Sequence, residues 1–120
     1  MAQSKSKTVV WDKAALEIVR EFSLEVRQEI GALLRLLQNG EFLGMPRSRP
    51  VKNLAPSAFE LRVKDRSGIY RVFYVYYDKH RIIVPHAFTK KTQRTPLNEI
   101  ETARKRLKRL IIKEVDYETD

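Results

Sequence analysis

The sequence predicts an α+β domain: a three- to four-stranded, mostly antiparallel sheet with an N-terminal helix or helical pair and a C-terminal helix. Three observations predict it. From Leu16 to Leu37 the apolar residues recur at gaps of three and four. From Phe59 to Phe88, alternating and branched-aromatic runs are broken by short turns. From Ile100 to Leu110 the helical spacing returns.

Residues 1–8 are polar and read as frayed. Val9, Val10 and Trp11 suit a short opening strand, and Asp12 can cap the helix behind it. Leu16, Val19, Phe22, Val26, Ile30, Leu33 and Leu37 make one helical stripe. Ser23 offers a second cap, so the run reads as one rod or as two helices with a bend. Asn39 and Gly40 end it. Residues 41–58 carry four Gly or Pro residues (Gly44, Pro46, Pro50 and Pro56) among Arg47, Arg49 and Lys52, which reads as a long, basic, functional loop.

In FELRVKD, Phe59, Leu61 and Val63 face one way, and Glu60, Arg62 and Lys64 the other. Arg66, Ser67 and Gly68 supply a turn. IYRVFYVYY is strongly β-forming, and neither of its faces is simply polar, so it reads as a central strand covered on both sides. Arg71 is the oddity, a cation inside an apolar row. Asp78, Lys79 and His80 make the next turn. RIIVPHAF is a strand in which Pro85 predicts an edge or a bulge. After HAFTKKTQRTP, Pro96 suits the first turn of a helix with Thr95 as its cap. Ile100, Ala103, Leu107 and Leu110 face the core. The acidic tail EVDYETD reads as loose. Residues 1–120 read as one domain, with 1–8 and 114–120 flexible.

Charge narrows the function. Apolar residues make up 42% of the chain, which is a globular composition, yet the net charge is +9. Like charges repel, so the imbalance does nothing for the fold and points to an anionic partner, nucleic acid first. The chain has no cysteine, which removes disulfides, thiolate nucleophiles and cysteine metal sites. No stretch reads as a signal peptide or membrane span, so the expected location is cytoplasmic, with no membrane partner. There is no glycine-rich phosphate loop, no metal-spaced pair among His80 and His86, and no motif of paired carboxylates. No cofactor and no metal site are expected.

Arginine and lysine remain. Arg71 has two readings: an ion pair with Glu60 or another carboxylate that cross-links the sheet, or a guanidinium fork aimed at a phosphate. Arg62, on the neighbouring polar row, is a surface arginine or a second phosphate ligand. Lys90 and Lys91 are a solvated strand end, or converge with Arg71 on one phosphate. Gln93 and Arg94 come next as turn residues or RNA contacts. His86 is a satisfied core histidine or a proton-transfer group. Tyr74, like Tyr70, Tyr76 and Tyr77, is core with a polar tip or a platform for a base. The basic face of the last helix is a solvated face or a dock for folded RNA.

ELR at 60–62, GIYRVFY at 68–74 and HAFTKKTQRTP at 86–96, with the Ile/Glu/Ala helix start behind them, resemble the phage-derived Gp49-like branch of the HigB and RelE toxin superfamily. The likeness runs from about Leu16 to Leu110. It implies a RelE-like domain with helices against one face of an antiparallel sheet. It implies the toxin of a type II toxin–antitoxin pair, an endoribonuclease that cuts messenger RNA on the ribosome. It also implies a cognate antitoxin, often a helix-turn-helix, HigA-like protein. Carried over residue by residue, the family's strand arginine falls on Arg71 and its basic residue after the last strand on Lys90 or Lys91. Its further cations fall on Arg62, Lys64 or Lys52. The family's C-terminal tyrosine or histidine has no counterpart in FTKKTQRTP, which leaves His86 as the nearby imidazole.

Such chemistry requires no metal. RNA carries its own nucleophile, the 2′-hydroxyl, and fixed cations stabilise the charge that builds on the phosphoryl oxygens. The rival readings are a non-catalytic RNA- or ribosome-binding module and a phage-type accessory regulatory protein. The catalytic reading expects Arg71 and a lysine of the 90–91 pair on one phosphate. Heads pointing to opposite sides of the molecule, or an Arg71 locked in a buried carboxylate pair with no route to solvent, would overturn that grip and leave a plain basic scaffold as the better description.

Overall fold

The computed structural model describes residues 6–90 and 95–119. The chain begins with β1 (Thr8–Trp11), then α1 (Lys13–Arg20) and α2 (Leu24–Gln38). Both predicted caps form: the Asp12 carboxylate accepts from Ala15 N at 3.0 Å, and Ser23 Oγ from Val26 N at 3.3 Å. Each satisfies a donor that the first helical turn leaves without a partner. The stripe is thus two helices. Gly40, with φ +90°, carries the chain out of α2 in the left-handed region that glycine enters without strain.

Strands β2 (Ser48–Pro50), β3 (Ala58–Asp65), β4 (Gly68–Tyr76) and β5 (Arg81–Lys90) come next, then α3 (Leu97–Thr119). The sheet order is β1-β5-β4-β3-β2. β1 runs parallel to β5, and the other pairs are antiparallel. The α+β class is as predicted, with five strands in place of three or four. β2 is the strand the sequence leaves in the basic loop. Three residues are too few to show a period, and their pairing with β3 decides them.

Alternation sorts the side chains into two layers. Leu61, Val63, Tyr70, Val72, Tyr74, Ile82 and Val84 lie under α1 and α2, against Val26, Ile30, Leu33 and Leu37. Ala58, Phe73, Val75, Ile83 and Phe88 lie under α3, against Ile100, Ala103, Leu107 and Leu110. Burying each large apolar side chain contributes about 1.5–3 kcal/mol. β4 is covered on both faces, as its two apolar rows predict. Helices therefore occupy both sides of the sheet, not the one side implied by the resemblance.

Pro85 sits in β5, between β1 and β4, so it does not mark an edge. It marks a bulge: the β4–β5 register shifts between Phe73 and Val75. The irregularity absorbs the missing donor. α3 continues through Thr119, where the sequence predicts a loose tail. No helix among the described residues is long and apolar enough to cross a membrane.

Candidate functional site

The site grows from the register on the α3 face of the sheet. Arg62 on β3 stands directly opposite Arg71 on β4, and Arg49 on β2 directly opposite Glu60 on β3. Two arginines facing each other across a ladder repel unless an anion lies between them. Glu60 is that anion. Its Oε1 is 3.4 Å from Arg49 Nε, 3.6 Å from Arg62 Nε and 3.4 Å from Arg71 Nη1.

Thr95, just before α3, closes the cluster. Its hydroxyl donates to Glu60 Oε2 at 2.7 Å and accepts from Arg49 Nη2 at 2.7 Å and Arg71 Nη1 at 2.9 Å. One donor and two lone pairs are thereby filled. Thr95 is a buckle between β2, β3 and β4, not the helix cap the sequence predicts. The carbonyl of Pro96 takes the first α3 amides instead, from Glu99 and Ile100.

Depth separates the three arginines. The side chains of Arg71 and Glu60 are 0% exposed, that of Arg62 9% and that of Arg49 31%. Arg71 also lies over the Phe88 ring, 6.0 Å from its centroid. Burial lowers its pKa; Glu60 opposes that shift, while Arg62 and Arg49 add to it. Arg71 is therefore held in the buried carboxylate pair that the sequence gives as its structural reading. With no exposed surface it cannot grip a phosphate directly in this arrangement, which corrects the expectation of direct contact. Arg49 presents the outward side of the cluster, and the nearly buried Arg62 reaches a second hollow beside Lys64.

The remaining sequence-named residues divide. Lys90 lies opposite Ile69, on the same face as Arg71 and one diagonal away, a spacing of about 7–8 Å between such strand positions. Lys52 is exposed and lines an open depression with Arg49, Asn53 and Thr95. Lys64 is exposed and lines a second hollow, with Arg62 and Arg47. Lys91, Gln93 and Arg94 lie outside the described residues.

His86 is buried on the α3 side. Its Nε2 donates to Glu99 Oε1 at 2.8 Å, and its Nδ1 accepts from Arg106 Nη1 at 2.9 Å, which assigns the neutral Nε2–H tautomer. Both nitrogens are engaged, so this imidazole is a core residue and presents no lone pair to a substrate. Burial lowers its pKa, and the Glu99 hydrogen bond opposes that shift. Tyr74 points to the opposite face. It is 1% exposed, stacked on Phe59 with ring centroids 5.5 Å apart, and its hydroxyl meets Ser48 Oγ at 2.6 Å. Burial pushes its pKa up to about 12. No face of that ring is open to a base, so it is core with a polar tip.

Arg49 and Thr95 are the members that the sequence does not single out for this cluster; Glu60 it names only as a possible ion-pair partner of Arg71. Arg49 is visible there as a loop cation and Glu60 as part of the polar row of β3. Their meeting depends on β2, which has no sequence signal. Among the described residues, no three His, Asp or Glu side chains gather as metal ligands would.

Against protein-family models, residues 17–108 match the family described as Phage derived protein Gp49-like (DUF891). No curated protein matches the chain. Among solved structures, the fold is similar to that of a mutant of the E. coli toxin RelE in the free state. The TM-score is 0.52, at 20% identity, over 87% of this chain and 97% of that one.

Proposed function

The chain belongs to the phage-derived Gp49-like family and has a RelE-like fold, and from that premise we propose that it is the toxin of a type II toxin–antitoxin pair, an endoribonuclease acting on messenger RNA at the ribosome. The observation that carries the proposal is the set of guanidinium groups locked around Glu60 beside Lys90, on a chain of net charge +9.

The chemistry runs through charge. The 2′-hydroxyl of the substrate gives its proton to water and bonds to the adjacent phosphorus, forming a 2′,3′-cyclic phosphate; the bond to the 5′-oxygen breaks and that oxygen takes a proton from Lys90 or from water. Arg62 and Arg49, with Lys90, meet the phosphoryl oxygens as they gain charge. Arg71 and Glu60 are positioning residues, which keep those heads from moving when charge develops. One such pre-set donor lowers the barrier by about 3–4 kcal/mol. Neither His86 nor Tyr74 takes part. In-line geometry comes from the surface that presents the RNA, which the proposal assigns to the ribosome. The antitoxin, in the helix-turn-helix class, would act by covering the cationic face.

The burial of Arg71 favours a second reading, a non-catalytic RNA-binding module. One experiment separates the two. The chain is expressed under control in a bacterium, with and without the neighbouring gene, and as the Arg62→Ala and Lys90→Ala variants. The toxin reading expects growth arrest, relief by the neighbour, messenger cut on translating ribosomes, and loss of cutting in the variants with RNA binding largely kept. Folded protein that binds RNA and neither arrests growth nor cuts it selects the binding module.

A further inference from the structure

The face of α3 turned away from the sheet carries a charge pattern that the arginine cluster does not use. Between Thr102 and Lys113 there are six cations, Arg104, Lys105, Arg106, Lys108, Arg109 and Lys113, and no acid. All but Arg106 are exposed. Arg104–Lys108, Lys105–Arg109 and Arg109–Lys113 are like-charge pairs four residues apart, each destabilising the helix by about 0.2–0.5 kcal/mol. An ordinary solvated face mixes signs, as α2 does with Glu25, Arg27, Glu29 and Arg35. The fold uses Arg106 and Arg109, whose guanidinium groups lie 3.7 and 3.5 Å from Asp12, and Glu101 and Glu114 flank the run; the exposed Lys105, Lys108 and Lys113 add positive charge beyond those contacts.

The ridge is continuous with the site. Arg104 Nη2 donates to the carbonyl of Asn53, beside Lys52 on the rim of the depression that Arg49 and Thr95 line. Along the ridge, cations recur every turn, a rise of about 6 Å per four residues. That suits a row of phosphates better than a single ligand. We infer that the exposed face of α3, together with Lys52, is a docking surface for the phosphate backbone of folded RNA, separate from the arginine cluster. The inference rests on the RNA reading above for its class of partner. Its test reads binding alone, so it stands or falls apart from cleavage.

The probe is a fluorescein-labelled RNA hairpin, with anisotropy measured from about 50 to 200 mM salt. The variant is Lys105→Gln/Lys108→Gln/Lys113→Gln. The control, Lys13→Gln/Arg20→Gln/Arg27→Gln, removes the same charge from exposed positions of α1 and α2. Circular dichroism checks that both fold. Each lost phosphate contact lowers the slope of log K against log salt by about 0.9, so the α3 variant is expected to lose about 2–3 from the slope while the control changes little. Equal losses in the two variants, or an unchanged slope in the α3 variant, overturn the inference. So does an α3 variant that keeps the RNA slope and loses binding to polyglutamate, which assigns the face to an acidic protein.

Discussion

Replacing Glu60 with Gln keeps the shape of the side chain and removes the anion on which three guanidinium groups converge. Arg71, with no exposed surface, is then left as a buried cation without its carboxylate. Breaking a buried pair by removing one partner costs about 3–5 kcal/mol. Arg49 is 31% exposed, so solvent screens its share, while Arg62 at 9% and Arg71 at 0% carry most of the loss. We expect a loss near the lower end, about 3 kcal/mol, a large fraction of the roughly 5–15 kcal/mol that holds a typical domain together. With an m-value of about 1–3 kcal/mol per molar urea, the unfolding midpoint falls by about 1–3 M. Arg71→Met removes the other charge, and the double variant closes the cycle. The double variant should be more stable than the two single losses added together predict, because neither charge is then stranded. The effect should persist from low to high salt, since a buried pair is poorly screened. Additive single effects, or a Glu60→Gln cost below about 0.5 kcal/mol, would refute the pairing.

Three further outcomes are expected. Thr95→Val should destabilise by about 2–4 kcal/mol, because the hydroxyl serves two guanidinium groups and a carboxylate, while Thr95→Ser should restore most of the loss in a urea titration. His86 has a folded-state pKa below the usual 6.5, so the unfolded chain binds the proton more readily. Its contribution is fully present above pH 6.5 and is lost as pH falls toward the lower folded-state value, in the presence of Glu99, Arg106 and Asp12. A thermal-melt series between about pH 5 and 7 should therefore rise with pH in the parent and run flatter in His86→Gln. Gly68 has φ +147°, and a Cβ there would lie 3.3 Å from the carbonyl oxygen of Lys90. Gly68→Ala should cost about 1–3 kcal/mol and loosen the β4–β5 pairing that sets Lys90, read as faster amide exchange at Lys90.

What the sequence makes legible is local. Asp12 and Ser23 announce their helices because a cap bonds to a backbone amide three residues away. The rows of β3 and β4 come from a period of two, which puts Glu60 and Arg62 on one face and Leu61 on the other. What it hides is set by distant partners. β1 lies parallel to β5, some seventy residues on, and nothing in Val9–Trp11 names that neighbour. β2 exists because β3 offers an edge. Alternation assigns Tyr74 to a face but cannot say that α2 and Phe59 seal it. Arg71 stands out as anomalous in its row, with Glu60 as a possible partner. The depth of the pair, and the arrival of Arg49 and Thr95, require the register.

That register bears on why the cluster is there at all. A buried ion pair is often no more stable than apolar side chains of the same volume, so three arginines around one carboxylate need a reason other than holding the sheet together. The apolar alternative was close at hand, since Phe73 and Phe88 continue the same rows. The cluster gains rigidity instead. Glu60 and Thr95 hold the guanidinium groups in place; on the proposed function, Arg49 and Arg62 would then not have to reorganise as a phosphate gained charge beside them. Glu60 neutralises one of three positive charges, which leaves the cluster with an excess of two, close to the surface and next to Lys90 and Lys52. A sheet that wanted only stability would have buried leucine here; this one keeps its positive charge and fixes where it points.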